Sequence, residues 1–313
     1  MTRTPASSST SSLFGIIRLP STLLFYTLIS TIISGVYSYQ QVLSSPQETC
    51  VSQDSPNGHA QQYPDIVSGN LNATTLIVPI SLAIARELIP QEYGILENAY
   101  RSLLPSFPAG MYPMMAQIVH DHDIQVPAYN ASMPDFSRAS FEFPFLDIFN
   151  DGHSSFRWAS TFLISASNDG AIKGSQGYGI AVHPASFDPP CDAYRVLPSE
   201  DGATYAGGWS SNGAQFNFMT IEAKPSWDNV PFSLDFLWNV TNQPVFANTR
   251  QCDYFTRMFN TTLTDSAVPV VAKVNAKLEP FAQPQVWEGV FGWRLSTAFL
   301  EPLEPEECRP EEE

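Results

Sequence analysis

The chain has 313 residues and a net charge of −16, with 31 acidic and 15 basic residues. This balance excludes nucleic acid as a partner, because binding to phosphates requires lysines and arginines that displace counterions. Hydrophobic residues make up 43% of the chain and aromatic residues 12%, which is enough for a large core. The length allows one large domain or two small ones.

The first 38 residues have the build of a targeting segment. Arginines stand at positions 3 and 18, no further charge appears before Glu48, and residues 22–37 are mostly apolar. Small residues at Val36 and Ser38 suit a signal peptidase, so we predict a signal peptide over 1–38. The alternative is an uncleaved signal anchor through residues 19–38, although a spanning helix needs about 20 apolar residues. Either way, we expect the rest of the chain in the secretory-pathway lumen or outside the cell.

Sequons and cysteines agree with this compartment. N-glycosylation sequons occur at four asparagines: Asn72, Asn130, Asn239 and Asn260. Glycosylation at these sites would require them to be exposed. An even number of cysteines without a CxxC motif favours two disulfides, with three connectivities open. We predict the pairs Cys191–Cys252 and Cys50–Cys308; buried free thiols are the alternative.

Residues 39–73 are rich in Gln, Ser, Pro and Asn and are predicted to form a linker. A β-branched strand should follow at Thr74–Ile80, then a helix at Ser81–Ile89 that ends at Pro90. A second short helix is predicted at Ile95–Leu104. Two strands come next, Tyr112–His120 and Phe136–Asp147. In the latter, alternate phenylalanines share one face, and Arg138 and Glu142 share the other.

In the second half, Phe156–Ser165 is predicted as a strand, and Asn168-Asp169-Gly170 as a hairpin turn. Asn212-Gly213 predicts another hairpin. Residues Phe232–Val240 alternate, which predicts a strand with Phe236 and Trp238 inward and Asn239 towards solvent. Many short strands and few helices predict a mostly antiparallel β-barrel or sandwich. Residues 304–313 are acidic and are predicted to be a disordered tail.

Near the C-terminus, the run Asn275–Leu303 resembles the end of the acetoacetate decarboxylase family. The matching residues keep the family's spacing: Asn275, Ala276, Lys277, Trp287, Gly289, Leu295, Phe299, Pro302 and Leu303. The resemblance covers roughly residues 74–303. It implies a cone-shaped antiparallel β-barrel around an internal cavity, and the family's members often form homo-oligomers.

The family's decarboxylases use a lysine amine that forms a Schiff base, with a second lysine lowering its pKa. In the matching stretch, Ala171–Phe187, the lysine pair falls at Val182 and His183, and neither side chain forms a stable imine. Lys173 is the one candidate Schiff-base lysine near these two positions; a solvated hairpin residue is the alternative that we favour. His183 could line the pocket as an acid or base, or be a structural histidine.

Arg138 and Glu142 are the other candidate catalytic residues. Arg138 could clamp a carboxylate if its face lines the cavity, or it could form a surface ion pair. The resemblance places four further residues at the ligand cavity: Met115, Tyr178, Val182 and Trp287. His120 and His122 share a strand face but lack a third ligand with suitable spacing, so we predict neither a metal nor a cofactor.

These observations predict an acetoacetate decarboxylase-like protein that binds or transforms a small apolar acid or secondary metabolite without Schiff-base chemistry. If catalytic, it would act as a lyase, cyclase or isomerase. Two alternatives remain open, a non-catalytic lumenal metabolite-binding glycoprotein and a decarboxylase with a relocated lysine.

Overall fold

A computed structural model of the protein describes residues 55–198, 201–212, 215–228, 230–259 and 261–310. These ranges are rich in strands, with four short α-helices. The predicted signal segment 1–38, Cys50 and Asn260 lie outside them. Within the described ranges, no helix is both long and apolar enough to cross a membrane.

Nine strands close into a barrel. Each is paired with the next in the order β1, β3, β5, β7, β8, β10, β11, β15 and β16, and β16 pairs back onto β1. Every pairing is antiparallel except that of β7 with β8, which is parallel. The barrel strands are β1 (Val67–Ser81), β3 (Met111–Val126), β5 (Phe136–Asp147), β7 (Thr161–Ser165), β8 (Ala181–Asp188), β10 (Thr204–Asn212), β11 (Gln215–Pro225), β15 (Val268–Lys277) and β16 (Gln285–Glu301). The prediction of a mostly β barrel with a few short helices is confirmed.

Shorter strands extend the barrel at its margins. β6 pairs with β5 and in parallel with β12, β12 pairs with β13, and β13 pairs with β17 near the C-terminus. β14 pairs with the end of β16. The short strands are β2 (Gly94–Ile95), β4 (Ala131–Met133), β6 (Phe156–Trp158), β9 (Arg195–Val196), β12 (Val245–Phe246), β13 (Gln251–Asp253), β14 (Thr256–Met258) and β17 (Glu306–Glu307).

The four helices are α1 (Leu82–Leu88), α2 (Glu97–Leu103), α3 (Asp169–Gly177) and α4 (Leu234–Thr241). The first two agree with the predicted helices to within two residues at each end. The side chain of Ser81 accepts a hydrogen bond from the Ile84 amide and caps α1. Such a cap satisfies one of the amides that have no partner inside the helix.

The predicted hairpin at Asn168-Asp169-Gly170 is wrong. Asn168 instead caps α3, and its Oδ1 accepts a hydrogen bond from the Ala171 amide at 2.9 Å. Because β7 and β8 are parallel, the chain must return to the same end of the sheet before it enters β8. A tight turn cannot make that connection, whereas a helical crossover can.

The predicted strand Phe232–Val240 is also wrong, because these residues form α4. Leu237, predicted to face outward, is 0% exposed, and Trp238, predicted to face inward, is 50% exposed. Ser233 caps the helix through the Phe236 amide. A short apolar run is compatible with the period of a strand and with that of a helix. Here the Ser233 cap and the packing of the apolar side chains favour the helix.

Both boundaries of the folded domain differ from the predicted ones. The barrel begins at Val67, inside the predicted linker 39–73 and before the predicted domain start at residue 74. The tail from residue 304 to 310 is not disordered, since β17 pairs with β13 and Cys308 is buried.

This pairing also sets the disulfide. Cys252 lies opposite Glu306 in the β13–β17 ladder, and Cys252 and Cys308 are bonded with their Cα atoms 4.9 Å apart. Both predicted pairs, Cys191–Cys252 and Cys50–Cys308, are therefore wrong. Cys191 is also disulfide-bonded.

The main core lies on one face of β5 and its neighbours. Phe141 contacts Phe281 and Trp287 edge-to-face, with ring centroids 5.3 and 5.5 Å apart. Phe143 packs on Trp158 at 5.3 Å. The opposite face of β5 carries Arg138 and Glu142, and it forms part of the site described next.

Candidate functional site

A cavity of about 190 Å³ lies between the barrel, α3 and the C-terminal segment. Its walls are mostly apolar and aromatic, with Phe136, Phe162, Phe255 and Phe299 among them. Gly177 of α3 comes so close to the C-terminal segment that a Cβ there would lie 3.4 Å from Pro305. Seven charged side chains also line the cavity: Asp121, Arg138, Glu142, Arg157, Asp253, Arg257 and Glu301.

Glu142 is the centre of the first group of charges. Its Oε2 forms a close ion pair with Arg157 Nε at 2.7 Å, although the angle is not that of a hydrogen bond. Its Oε1 accepts hydrogen bonds from Gln117 Nε2 at 2.6 Å and from the Ser140 hydroxyl at 2.7 Å. Burial raises the pKa of Glu142, but Arg157 and Arg138 outweigh it and hold that pKa below its usual value. Glu142 is therefore ionised at neutral pH.

Arg138 forms the second ion pair. Its Nε donates to Asp121 Oδ2 at 2.7 Å, and its guanidinium carbon lies 5.6 Å from the centre of the Phe255 ring. Burial by itself would lower the pKa of Arg138, yet Asp121 raises it above the usual value. Two of the three arginines in the cavity thus have an acidic partner of their own.

Arg257 has no such partner. The side chain is 1% exposed, and its Nη2 donates to the neutral Gln117 Oε1 at 2.7 Å. Its Nε and Nη1 have no hydrogen-bond partner in the described part of the chain. Burial, together with the nearby charges of Arg138 and Arg157, lowers the pKa of Arg257 to about 9. The group is still a cation at neutral pH, and it has unused donors beside an apolar cavity.

Asp253 and Glu301 form a pair of carboxyl groups that also line the cavity. Burial raises the pKa of Asp253 to about 7, against the lowering effect of Arg138 and Arg157. Burial and the charge of Asp253 raise the pKa of Glu301 well above its usual value. Asp253 Oδ1 is buried and has no hydrogen-bond partner among the described residues. Near neutral pH this pair can therefore hold or release a proton.

Of the residues proposed from sequence, Arg138, Glu142 and Tyr178 line the cavity. His183 does not; it is half-buried elsewhere, and its Nε2 lies 3.1 Å from Glu279 Oε2. Lys173 is exposed on α3. The structure describes all four lysines of the chain, and none of them is among the residues that line the cavity.

The other three predicted cavity residues lie elsewhere. Met115 pairs with Glu142 across β3 and β5 but is fully buried in the apolar core. Trp287 belongs to the aromatic cluster on the other face of β5. Val182 packs against the smaller apolar cluster beside α3.

Sequence reasoning missed the charged groups of Asp253, Arg257 and Glu301. Asp253 and Arg257 lie on strands of three residues, which are too short to show a period. Glu301 stands three residues before the acidic tail, residues 304–313, that we predicted to be disordered. The residues next to them in sequence did not indicate that these three side chains would line one cavity.

The two histidines of β3 have a structural role. The rings of His120 and His122 stack at 6.1 Å, and His120 Nδ1 lies 2.9 Å from the Ser137 hydroxyl. Within the described ranges, no group of three or more His, Cys, Asp or Glu residues is placed to hold a metal ion.

The sequons differ in their exposure. Asn72 is 4% exposed inside β1, and its side chain accepts a hydrogen bond from the Ser296 hydroxyl, so the prediction of a glycan there is wrong. Asn130 is exposed, at a positive φ of 49°. Asn239 is half-buried on α4. Glycosylation at Asn130 and Asn239 stays a prediction.

No protein-family model matches this chain, and a search of curated proteins finds no match. Several solved structures are similar to it. The fold resembles that of acetoacetate decarboxylase-like enzymes. One is an acetoacetate decarboxylase-like enzyme from Sphingomonas wittichii RW1, with a TM-score of 0.43 and 10% identity over 79% of this chain and 94% of that one.

Two others are structures of the enduracididine biosynthesis enzyme MppR. The complex with pyruvate has a TM-score of 0.40 and 8% identity over 79% of this chain and 91% of that one. The structure with HEPES bound has a TM-score of 0.43 and 7% identity over 78% and 88%. The likeness concerns the fold alone.

Proposed function

We propose that this protein binds a small carboxylic acid with an apolar body in the cavity, and that Arg257 holds the carboxylate. The observation that carries this proposal is the buried guanidinium of Arg257, with Nε and Nη1 unpaired at an apolar cavity. A buried donor without a partner costs free energy, and a ligand that supplies the acceptor recovers it. Each bidentate edge of a guanidinium includes Nη2, so a carboxylate would accept from one of the unpaired nitrogens and from the second N–H of Nη2, whose first N–H donates to Gln117.

Charge supports an anion as the ligand. Arg138 and Arg157 are each matched by a carboxylate at 2.7 Å, whereas the Arg257 side chain donates within the described residues to the neutral amide oxygen of Gln117. In a medium of low dielectric constant, attraction between Arg257 and an incoming carboxylate is much stronger than in water. The anion would complete the third ion pair of the cavity.

The size and the walls of the cavity define the rest of the ligand. An apolar cavity of about 150 Å³ accommodates benzene. A cavity of about 190 Å³ therefore suits a molecule of roughly six to ten non-hydrogen atoms. The surrounding phenylalanines favour an aliphatic or aromatic body over a sugar-like one.

The chemistry available to the site is non-covalent binding and proton transfer. No lysine is placed to form an imine with the ligand, which supports the view that Schiff-base chemistry is absent. Asp253 and Glu301, with their raised pKa values, are the groups that could exchange a proton with a bound ligand. We propose that any transformation here is of the acid–base type. Arg138 and Glu142 would hold the charged wall in place, and His183 and Lys173 would take no part.

We also propose a secretory location for the folded domain. The Cys252–Cys308 disulfide supports it, because disulfides persist in oxidising compartments. A mass shift on glycosidase treatment that maps to Asn130 would agree with this location. Protein from a eukaryotic host that carries no glycan and has reduced cysteines would contradict it.

The ligand proposal is tested with matched compounds and calorimetry. We expect hexanoate to bind to the wild-type protein at least 10-fold more tightly than hexanamide, which has the same shape without the charge. The variant Arg257→Met should reduce hexanoate affinity at least 100-fold. Arg101→Met, which removes an exposed arginine on α2, should leave affinity unchanged.

Equal binding of the acid and the amide, or full hexanoate affinity in Arg257→Met, would contradict the proposal. If Arg257→Met does not fold, Arg257→Lys keeps the charge but loses the planar donors. It should weaken hexanoate binding by about 10-fold or more. Incubation with acetoacetate and borohydride should leave the intact mass unchanged, and an adduct on any lysine would contradict the non-covalent part of the proposal.

A further inference from the structure

The cavity contains an unused acceptor as well as unused donors. Asp253 Oδ1 is buried without a hydrogen-bond partner in the described chain, and Asp253 and Glu301 both line the cavity. The other two acids of the cavity, Asp121 and Glu142, are already paired with Arg138 and Arg157. Among the described residues, the cavity thus leaves Arg257 Nε and Nη1 without an acceptor and Asp253 Oδ1 without a donor.

Strand register places these groups on the same wall. Arg257 of β14 lies opposite Phe299 of β16, and Glu301 follows Phe299 by two residues on the same face. Diagonal neighbours of this kind have Cα atoms about 7–8 Å apart. Asp253 lines the same cavity as Arg257 and Glu301. One small molecule can thus reach both the arginine and the carboxyl pair.

We propose that the ligand carries an ammonium group in addition to its carboxylate, so that the protein binds a small apolar amino acid. The carboxylate would accept hydrogen bonds from Arg257, and the ammonium would donate to Asp253 and Glu301. This inference rests on the proposed function and narrows its class of ligand.

The charges of the cavity favour such a zwitterion over a simple acid. A simple acid would satisfy Arg257 but would leave Asp253 Oδ1 buried without a donor. An ammonium group supplies up to three donors and a positive charge next to two carboxyl groups. Arg138, the cation that acts on both Asp253 and Glu301, already holds Asp121 at 2.7 Å. Because Arg138 is already paired, a ligand ammonium could serve as the cation for Asp253 and Glu301.

The test uses ligands that differ only in the ammonium group. Isothermal titration would compare hexanoate with 2-aminohexanoate and with 6-aminohexanoate, which place the ammonium next to the carboxylate or at the far end. We expect one of the amino acids to bind at least 10-fold more tightly than hexanoate. The amino acid that binds more tightly then indicates how far the guanidinium lies from the carboxyl pair.

Variants then assign the effect to the carboxyl pair. In Asp253→Asn/Glu301→Gln, which keeps the shapes of both side chains, the advantage of the amino acid over hexanoate should disappear when both affinities are measured on that same variant. Glu288→Gln, at an exposed acid that pairs with Lys273, should keep the advantage. If the double variant does not fold, either single variant should reduce the advantage at least 3-fold.

The outcomes separate this inference from the proposal on which it rests. Arg257-dependent binding of hexanoate that no amino acid improves would overturn the ammonium site alone. An advantage that persists in the double variant would also overturn it. Failure of every carboxylate to bind would overturn both proposals.

Discussion

The two faces of β5 are equally buried but chemically opposite. One face carries Phe141 and Phe143, which pack on Phe281, Trp287 and Trp158. The other carries Arg138 and Glu142, which line the cavity, and Ser140, whose hydroxyl donates to Glu142. Neighbouring residues of a single strand therefore belong either to the core or to the candidate site.

This difference between the two faces shows how a buried site can be recognised. Apolar contacts are non-directional, so each phenylalanine is satisfied by whatever packs against it. A buried charge is stable only with a partner, so the polar face must draw its partners from other strands. Arg157 and Asp121 supply these partners. Whatever remains unpaired on the polar face is then a candidate for contact with a ligand.

The largest effect should come from breaking a pair on the polar face. Glu142→Gln removes the charge beside Arg157, whose side chain is buried, so the free energy of unfolding should fall by about 3–5 kcal/mol. Urea denaturation measures this change. Glu97→Gln, in the exposed Glu97–Arg101 pair of α2, is the matched control and should cost less than about 0.5 kcal/mol.

Replacing both residues of the Glu142–Arg157 pair makes this test more specific. Glu142→Leu combined with Arg157→Met removes both charges of this pair and so leaves neither one buried alone, and stability should return to within about 1 kcal/mol of wild type or exceed it. If the single and double variants lose equal stability, the charge of Glu142 is not what matters on this face.

A medium effect should appear in the pH dependence of stability. The native protein keeps a proton on Asp253 up to about pH 7, whereas the unfolded chain releases it near pH 4. Because the native state binds more protons in this window, the free energy of unfolding should fall between pH 4 and pH 7, by on the order of 1–3 kcal/mol. Glu301 contributes with the same sign. The lowered pKa of Glu142 acts oppositely, so stability should also fall below about pH 4.

Denaturation at a series of pH values would measure this curve, with a maximum expected between pH 4 and 5. Asp253→Asn should flatten the part above pH 5. Stability that rises from pH 4 to pH 7 would show that the carboxyl pair is well solvated.

The smallest effect is expected on the apolar face. Phe281→Leu keeps an apolar side chain but loses the edge-to-face contacts with Phe141 and Trp287, which should cost about 1 kcal/mol. Hexanoate affinity should not change, because Phe281 is on the core side of β5. Phe216→Leu, at an exposed phenylalanine, should cost less. A large change in ligand affinity for Phe281→Leu would show that the two faces are coupled.

Local patterns in the sequence predicted much of the fold. The alternation over Phe136–Asp147 predicted both the bounds of β5 and its two faces, because side chains of a strand point to alternate sides. The proline at position 90 predicted the end of α1. These features depend on residues within a few positions of one another.

The site could be predicted only in part. Arg138 and Glu142 were identified because the strand that carries them is long enough to show a period. Asp253 and Arg257, from three-residue strands, and Glu301, just before the acidic tail, could not be, since their burial depends on how the chain closes around them.

Local sequence patterns predicted a mostly β barrel or sandwich with a few short helices, since strand period, turn residues and composition are local properties, and the family resemblance narrowed this to a barrel without a lysine pair at the matching positions. Only the tertiary structure decided that residues 169–177 form a helix, because β7 and β8 pair in parallel. It also decided the Cys252–Cys308 bond and brought Arg257 to the carboxyl pair. These outcomes depend on which distant strands become neighbours, and the closure of the whole barrel settles that choice.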